Sequence, residues 1–507
     1  MSHISRAALI IAVFFGLEKL LGFFRQLLIA RQFGLSEGLD VFNAANNLPD
    51  LIFGLISGGA LAIAFIPVLS EYLDQKGRPE MWDLFSRVAN LLFLVTFGVS
   101  ILVALLATQL VGGNFGIAPG FSPEQQYQVV GLMRLNLIAT LLFSISGLVI
   151  AGLQANQHFL LPALARSMYD LGTLIGVIFL APSTGYQIGP ITLPAFGLGI
   201  YGLAYGTVIG AVLFLLVQLP GLVRYQFRWV AAINLHHPGV QKVLRLMVPR
   251  IGSMFFVYLV LIYIPDNIAS RLVTGSVTAL VFGWLFMQVP ETLLGTSIGT
   301  ALLPTISEQY ARDEKSIFSS SLNQGLRVML ALTLPVAVLV ALGIEPLVTL
   351  LGFDQAGTEL VVWTTRAFLL GLTGHAMLEI AGRGFYAQQD AVTPLWASAL
   401  MAGIFTFLAI WWARSFGAAG IALANSAAFT LQSLLLWYLL NRRFPGITKV
   451  GSTLLRAIIG SGAAALVVYL SMQLPFSNLL VSLGSLVLGG LVALPFIWPE
   501  LKLLIKL

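Results

Sequence analysis

Apolar residues run along this chain in long unbroken stretches. Fourteen of them reach membrane-spanning length, near 7–30, 41–69, 84–111, 126–152, 160–181, 196–222, 247–270, 276–303, 325–351, 358–382, 391–413, 418–440, 452–473 and 478–499. A stretch of about 18 or more apolar residues with few charges reads as a transmembrane helix. The stretches are continuous rather than alternating, which argues against a β-barrel. Several contain Pro or Gly, and such breaks survive in lipid where neighbouring helices or a cavity satisfy the freed backbone groups. The pattern predicts an all-α polytopic membrane protein with about 14 transmembrane helices. The first stretch has full span length and carries charges, so it is expected to be a retained helix rather than a cleaved signal.

The pattern also repeats. "GLQANQHFLLP" (152–162) resembles "GFYAQQDAVTP" (384–394), 232 residues on. "IPVLSEY" (66–72) echoes "LPTISEQY" (303–310) at 237, and "GIYGLA" (199–204) echoes "GAAGIA" (417–422) at 218. Corresponding segments fall on the same expected side of the membrane. This predicts a parallel pseudo-two-fold repeat of two six-helix lobes plus two C-terminal helices. The expected domains are an N-terminal lobe at 1–222, a basic cytoplasmic linker at 223–246, a C-terminal lobe at 247–445 and a two-helix extension at 446–507. A duplicated bundle of this kind suits a transporter with its substrate site in a cleft between lobes.

Composition sharpens the class. Of 507 residues, 58% are hydrophobic and 9% charged, too few charges to clothe a soluble protein of this size. There is no cysteine, which excludes disulfides and thiol chemistry. The net charge is +6. In a membrane chain this reads as cytoplasmic loops facing anionic lipid, and no nucleic acid partner is expected. With the N-terminus placed in the cytoplasm, seventeen of the 27 Lys and Arg fall on the cytoplasmic side, three outside (Arg31, Arg271, Arg414) and seven within spans. That asymmetry predicts two cytoplasmic termini and an even number of spans.

The charges inside spans carry the functional expectation. An ionisable side chain in a bilayer is costly and marks a cavity or a partner. In the first span, Glu18 and Arg25 lie seven apart on one helical face, bordered by Lys19 and Gln26, with Gly22 between them. Two readings stay open: a wet cleft offering cations to an anionic ligand, or ion pairs that pin helices together. Further candidates are Asp50, Arg134, and Arg166 with Asp170, a spacing of four at which the two can pair with each other. Span 10 holds Arg366, His375, Glu379 and Arg383. Asp390 sits in the repeated "AQQD" turn, where a helix cap is the simpler role. Glu291 follows Pro290 in a span that looks broken, and Arg250 follows Pro249 at a span entry.

Enzyme chemistry finds no foothold. The chain lacks a phosphate-cradling glycine loop, so it carries no ATPase. Its five histidines (3, 158, 236, 237 and 375) lack metal-ligand spacing. The expected external loops offer no paired carboxylates for glycosyl transfer. No cofactor or metal is expected. The membrane potential or a monovalent cation is left to drive transport.

"LLGFFRQLLIARQFGLSEGLDVFNAANNLP" (20–49), "ALAIAFIPVLSEY" (60–72), "LLGTSIGTALLPTISEQYA" (293–311) and "GRGFYAQQDAVTP" (382–394) resemble the MurJ (MviN) lipid II flippase family. That family lies within the multidrug/oligosaccharidyl-lipid/polysaccharide superfamily. The resemblance implies a flippase that moves undecaprenyl-diphosphate-linked peptidoglycan precursor across the bacterial cytoplasmic (inner) membrane by alternating access. It implies a polyprenyl-diphosphate-linked glycan lipid as substrate, cell-wall synthesis enzymes as further partners, and a groove for the lipid tail on the two C-terminal helices. On the family pattern, Lys19 and Arg25 take the two cationic places of span 1, and Asp40 matches the acid after the first loop. The family's basic pair on span 2 is replaced by Phe53 and Gly54, with Asp50 in place of Asn. The arginine expected on span 8 falls at Trp284 or Leu285. Either Arg134, Arg166 or Arg383 substitutes, or the chain moves another polyprenyl-linked glycan. The rival readings are an exporter of small cationic compounds and a non-transporting scaffold of cell-wall synthesis.

Overall fold

In a medium without water, every backbone N–H and C=O must be satisfied within the segment, so the apolar stretches become helices. The computed structural model describes the backbone of residues 3–56, 59–473 and 478–504, and the side chains of these except at 3–13, 15, 16, 56, 59–64, 188, 249, 250, 253, 478–480 and 482. In order come α1 (His3–Phe33), α2 (Glu37–Ile56), α3 (Gly59–Lys76), α4 (Arg78–Gly112), α5 (Pro123–Ala155) and α6 (Leu160–Ile175). A π turn (Gly176–Leu180) and a small hairpin, β1 (Gln187–Ile188) and β2 (Ile191–Thr192), lead to α7 (Ile200–Leu216), α8 (Leu219–Arg224) and α9 (Pro238–Tyr258). The strands pair antiparallel, Gln187 with Thr192. A second π turn (Leu259–Tyr263) precedes α10 (Ile264–Ala269) and α11 (Ser276–Pro290); a third (Glu291–Thr296) joins α11 to α12 (Ser297–Ala311). Then follow α13 (Lys315–Thr349), α14 (Gln355–Leu369), α15 (Leu372–Ala387), α16 (Val392–Arg443), α17 (Gly451–Ser471) and α18 (Asn478–Leu504).

The chain is an all-α polytopic membrane protein. Among the described residues, nine helices are long and apolar enough to cross a membrane. Two of these differ from a one-helix, one-span tally. α16 has 52 residues and a non-helical Gly417 inside it. At 1.5 Å per residue it runs roughly 78 Å, more than twice a bilayer core of about 30 Å. The stretch Ser276–Ala311 passes through a π turn without ending.

The chain divides into two compact units, Met1–Tyr258 and Leu259–Leu507. The division falls inside the expected seventh span rather than in the linker. The reason is packing: Val240, Val243 and Met247 of α9 are buried in the first unit's core with Phe65, Trp82, Phe85 and Leu148. The segment before α9 is also tied down. Trp82 Nε1 donates to the Tyr225 carbonyl at 2.9 Å, and Asn90 Nδ2 to those of Val230 and Ala232 at 2.8 and 3.0 Å. In the second unit, α17 and α18 pack along α13, where Leu339, Ala464, Val468 and Ala493 form a small core.

Each unit builds the same succession. α4 and α13 both have 35 residues, and both ends are 237 apart. α5 occupies the same interval as α14 and α15 together, displaced by 232. Gly199 (φ 55°, ψ −134°) and Gly417 (φ 59°, ψ −138°) share a backbone state reserved for glycine, at the separation of 218. Gln157 and Gln389, in the repeated turn, are both left-handed at φ 57° and 59°. In the first unit α6 and α7 cross at near contact: a Cβ on Gly172 would collide with the Gly210 backbone, and one on Gly176 would lie 2.8 Å from Gly206 Cα. Gly202, Gly206 and Gly210 recur every four residues, the small-residue spacing that lets membrane helices approach.

Candidate functional site

The polar stripe of α1 meets α6. Gly22 leaves the space, and the group that enters it is the Asp170 carboxylate: a Cβ at 22 would sit 3.8 Å from Oδ1. One turn along, Arg25 Nη1 donates to Asp170 Oδ1 at 2.8 Å, and its guanidinium lies over the Tyr169 ring at 5.1 Å. The side chains of Arg25 and Asp170 are 18% and 5% exposed. This pair is therefore desolvated and short, with strong geometry.

The next layer is looser. Glu18 Oε2 stands 3.9 Å from Arg166 Nη1, and Glu18 Oε1 stands 3.9 Å from Lys19 Nζ. Lys19 and Arg166 are 63% and 54% exposed, against 22% for Glu18. The helix-neighbour pairing of Arg166 with Asp170 does not form, because α1 offers Asp170 a closer cation. The cluster combines three cations with two acids. Its deep pair is closed, and its outer cations sit around Glu18 beyond hydrogen-bond distance.

The remaining candidates lie elsewhere. Asp40 is buried near the start of α2, and Asp50 is exposed on the same helix. Arg134 belongs to a different helix pair: its Nε donates to the Ala104 carbonyl of α4 at 3.0 Å. In the second unit Arg383 pairs with Glu379 four residues before it, and its Nη2 donates to Thr300 Oγ1 at 3.0 Å. Glu291, on the π turn, accepts from Thr296 at 3.2 Å. His375 is buried, 3.1 Å from Asn425 Oδ1 and stacked on Phe429. Arg366 lies on α14, separated from the other span-10 candidates by a break at Gly371. Asp390 accepts from the Val392 and Thr393 amides that open α16 and pairs with Arg443 at 2.8 Å. Burial pushes its carboxyl up, but the Thr393 and Arg443 hydrogen bonds outweigh that and hold it below the ordinary carboxylate value. The Arg250 side chain lies outside the described residues. Among the described residues, no group of His, Asp or Glu is arranged to hold a metal.

The structure also accounts for two positions where family cations were expected. A side chain at Gly54 would run into the Tyr258 hydroxyl and ring, and Phe53 packs edge-on against Phe143. Trp284 stands edge-on to Phe368 and His375. Tyr169 under Arg25 and Tyr258 beside Gly54 have no signal in the sequence, because each meets its partner across two helices, whereas the spacing of four between Arg166 and Asp170 points along one.

The fold is that of a multi-pass membrane transporter. It is similar to a MATE family multidrug transporter of the MOP superfamily in its inward-facing conformation, with a TM-score of 0.68 at 12% identity over 86% of this chain and 96% of that one. It is more similar to a solved lipid II flippase MurJ in an inward closed conformation, with a TM-score of 0.78 at 22% identity over 96% and 98%. The family described as "Lipid II flippase MurJ" matches residues 29–489. The lipid II flippase MurJ of Burkholderia cenocepacia is 32% identical over 92% of this chain and 89% of its own. The chain belongs to the MurJ family.

Proposed function

We propose that this chain is a flippase for lipid II, carrying the undecaprenyl-diphosphate-linked peptidoglycan precursor from the inner to the outer leaflet of the bacterial cytoplasmic membrane by alternating access. Family membership across 29–489, joined to the charged stripe of α1 and α6, is the observation that carries this reading. The loop charges favour two cytoplasmic termini. Transport is driven by the membrane potential or a monovalent cation; a unit charge moved through the field gains about 2.3 kcal/mol per 100 mV. Cell-wall synthesis enzymes are its further partners. It catalyses no covalent step.

Roles divide by depth. A diphosphate approaching the stripe meets Lys19 and Arg166 first. The 3.9 Å separation of Arg166 from Glu18 exceeds hydrogen-bond length, so an incoming anion exchanges a weak contact there for a charge-assisted one. The buried Arg25–Asp170 pair fixes α1 to α6 beneath them. Lys19 supplies charge without a bidentate fork, while Arg166 supplies both. The collision of Gly54 with any side chain favours a second reading, another polyprenyl-linked glycan with a different head group. Rescue of a strain depleted of its own lipid II flippase tests the first reading. Growth that fails with Lys19→Gln plus Arg166→Gln supports it. No rescue by the unaltered, correctly inserted chain contradicts it.

A further inference from the structure

The two units carry one arginine each at the same repeat position, and their surroundings differ. Arg134 Nε donates to Ala104 O at 3.0 Å; Arg366 Nε donates to Ala341 O at 2.9 Å. The arginines are 232 apart and the alanines 237, the separations of their helices. In the second unit an acid and an aromatic ring stand beside the arginine: Glu345 Oε2 lies 3.8 Å from Arg366, and Trp363 lies under the guanidinium at 5.1 Å. In the first unit those places are held by Thr108 and Gly131. Among the described residues no acid pairs with Arg134.

The position of Arg134 makes this consequential. It is exposed, and its flank is a lipid-type surface, with Ile101, Leu105 and Ile138 exposed by 45%, 71% and 50%. α5 has 33 residues and so runs roughly 50 Å, about 20 Å more than the hydrocarbon core. With that excess shared between its ends, Arg134, eleven residues in from Pro123, starts roughly 6 Å inside the boundary. Its side chain reaches the head-group level from there. One guanidinium N–H is spent on Ala104, and the rest are available to an acceptor. An unanswered charge on an apolar face is costly and calls for an anion from the surroundings.

We infer that the α4–α5 edge at Arg134 is a binding site for the phosphate of a membrane phospholipid. The guanidinium takes the phosphate oxygens, Thr108 lies one turn from Ala104 at the same edge, and the acyl chains lie on Ile101, Leu105 and Ile138. With both termini cytoplasmic, the lipid belongs to the outer leaflet. The site itself does not depend on what the chain transports.

Native mass spectrometry of the detergent-solubilised full chain tests this, with added dioleoylphosphatidylglycerol, dioleoylglycerol or inorganic phosphate. The unaltered chain should retain phosphatidylglycerol in preference to dioleoylglycerol. Arg134→Gln should lower occupancy by the tightest-bound phosphatidylglycerol about fivefold, the effect of one cation near a lipid surface. Thr108→Glu, which supplies the counter-charge of the second unit, should do the same without removing the arginine. Arg366→Gln should leave it unchanged. The inference is overturned if both Arg134→Gln and Thr108→Glu retain phosphatidylglycerol normally, or if Arg366→Gln loses as much. It is equally overturned if dioleoylglycerol is lost in parallel, or if inorganic phosphate displaces the lipid at equal concentration. Because the readout is binding, failure here leaves the transport reading to its own test.

Discussion

Arg25→Gln should unsettle the protein by leaving a buried acid without its partner. The Asp170 carboxylate is 5% exposed and takes its short 2.8 Å contact from Arg25. Breaking one side of such a pair costs about 3–5 kcal/mol, because the surviving charge stays desolvated. Arg25 is 18% exposed, so the lower end, about 3 kcal/mol, applies. Loss of the stacking on Tyr169 adds about 0.5–1 kcal/mol. Asp170→Asn should cost less, since an exposed edge of Arg25 still reaches water. The double variant should recover most of the loss. The assay is a double-mutant cycle on denaturant unfolding in detergent, followed by tryptophan fluorescence. Single losses that simply add in the double variant would refute the pairing as the tie between α1 and α6.

Three further outcomes follow from particular contacts. Gly54→Ala should destabilise by about 1–3 kcal/mol through collision with Tyr258, and Tyr258→Ala should restore it; unfolding midpoints read both. Glu500 is 1% exposed and accepts from Arg327, Arg456 and Thr453, tying α18 to α13 and α17. Glu500→Gln should cost roughly 3 kcal/mol and raise proteolysis of the C-terminal helices. Asp390 gains stability from a carboxyl held below its ordinary value of 3.8. That contribution is complete above the ordinary value and disappears as pH falls through the lower folded value; Asp390→Asn should flatten this acid limb of a stability–pH profile.

Much of the fold was legible because its causes are local and periodic. Uninterrupted apolar length dictates helices in lipid, and the echoes at 237, 232 and 218 fall within α3 and α12, at the ends of α5 and α15, and at the Gly199–Gly417 pair. The breaks were harder to read. The π turn at Glu291–Thr296 joins α11 to α12 without a loop, and α14 and α15 part at Leu370–Gly371 where α5 is one helix; a Cβ on Gly371 would strike Ser426, so only glycine fits at that break. The site was legible in its residue types and not in its pairings. Arg25 and Asp170 are far apart in sequence, whereas Arg166 and Asp170 advertise a helix-neighbour bond that the packing of α1 on α6 overrides. Gly54 likewise gives no hint that Tyr258 fills the space beside it.

The central claim is that exposed cations at the α1–α6 stripe receive a lipid-linked diphosphate. Its most direct measurement is the amount of lipid II exposed on the outer leaflet of cells depleted of their own flippase and supplied with this chain. The account predicts that the unaltered chain restores outer-leaflet lipid II, and that Lys19→Gln with Arg166→Gln abolishes it while the protein remains folded and inserted. Full outer-leaflet lipid II in that double variant would contradict it.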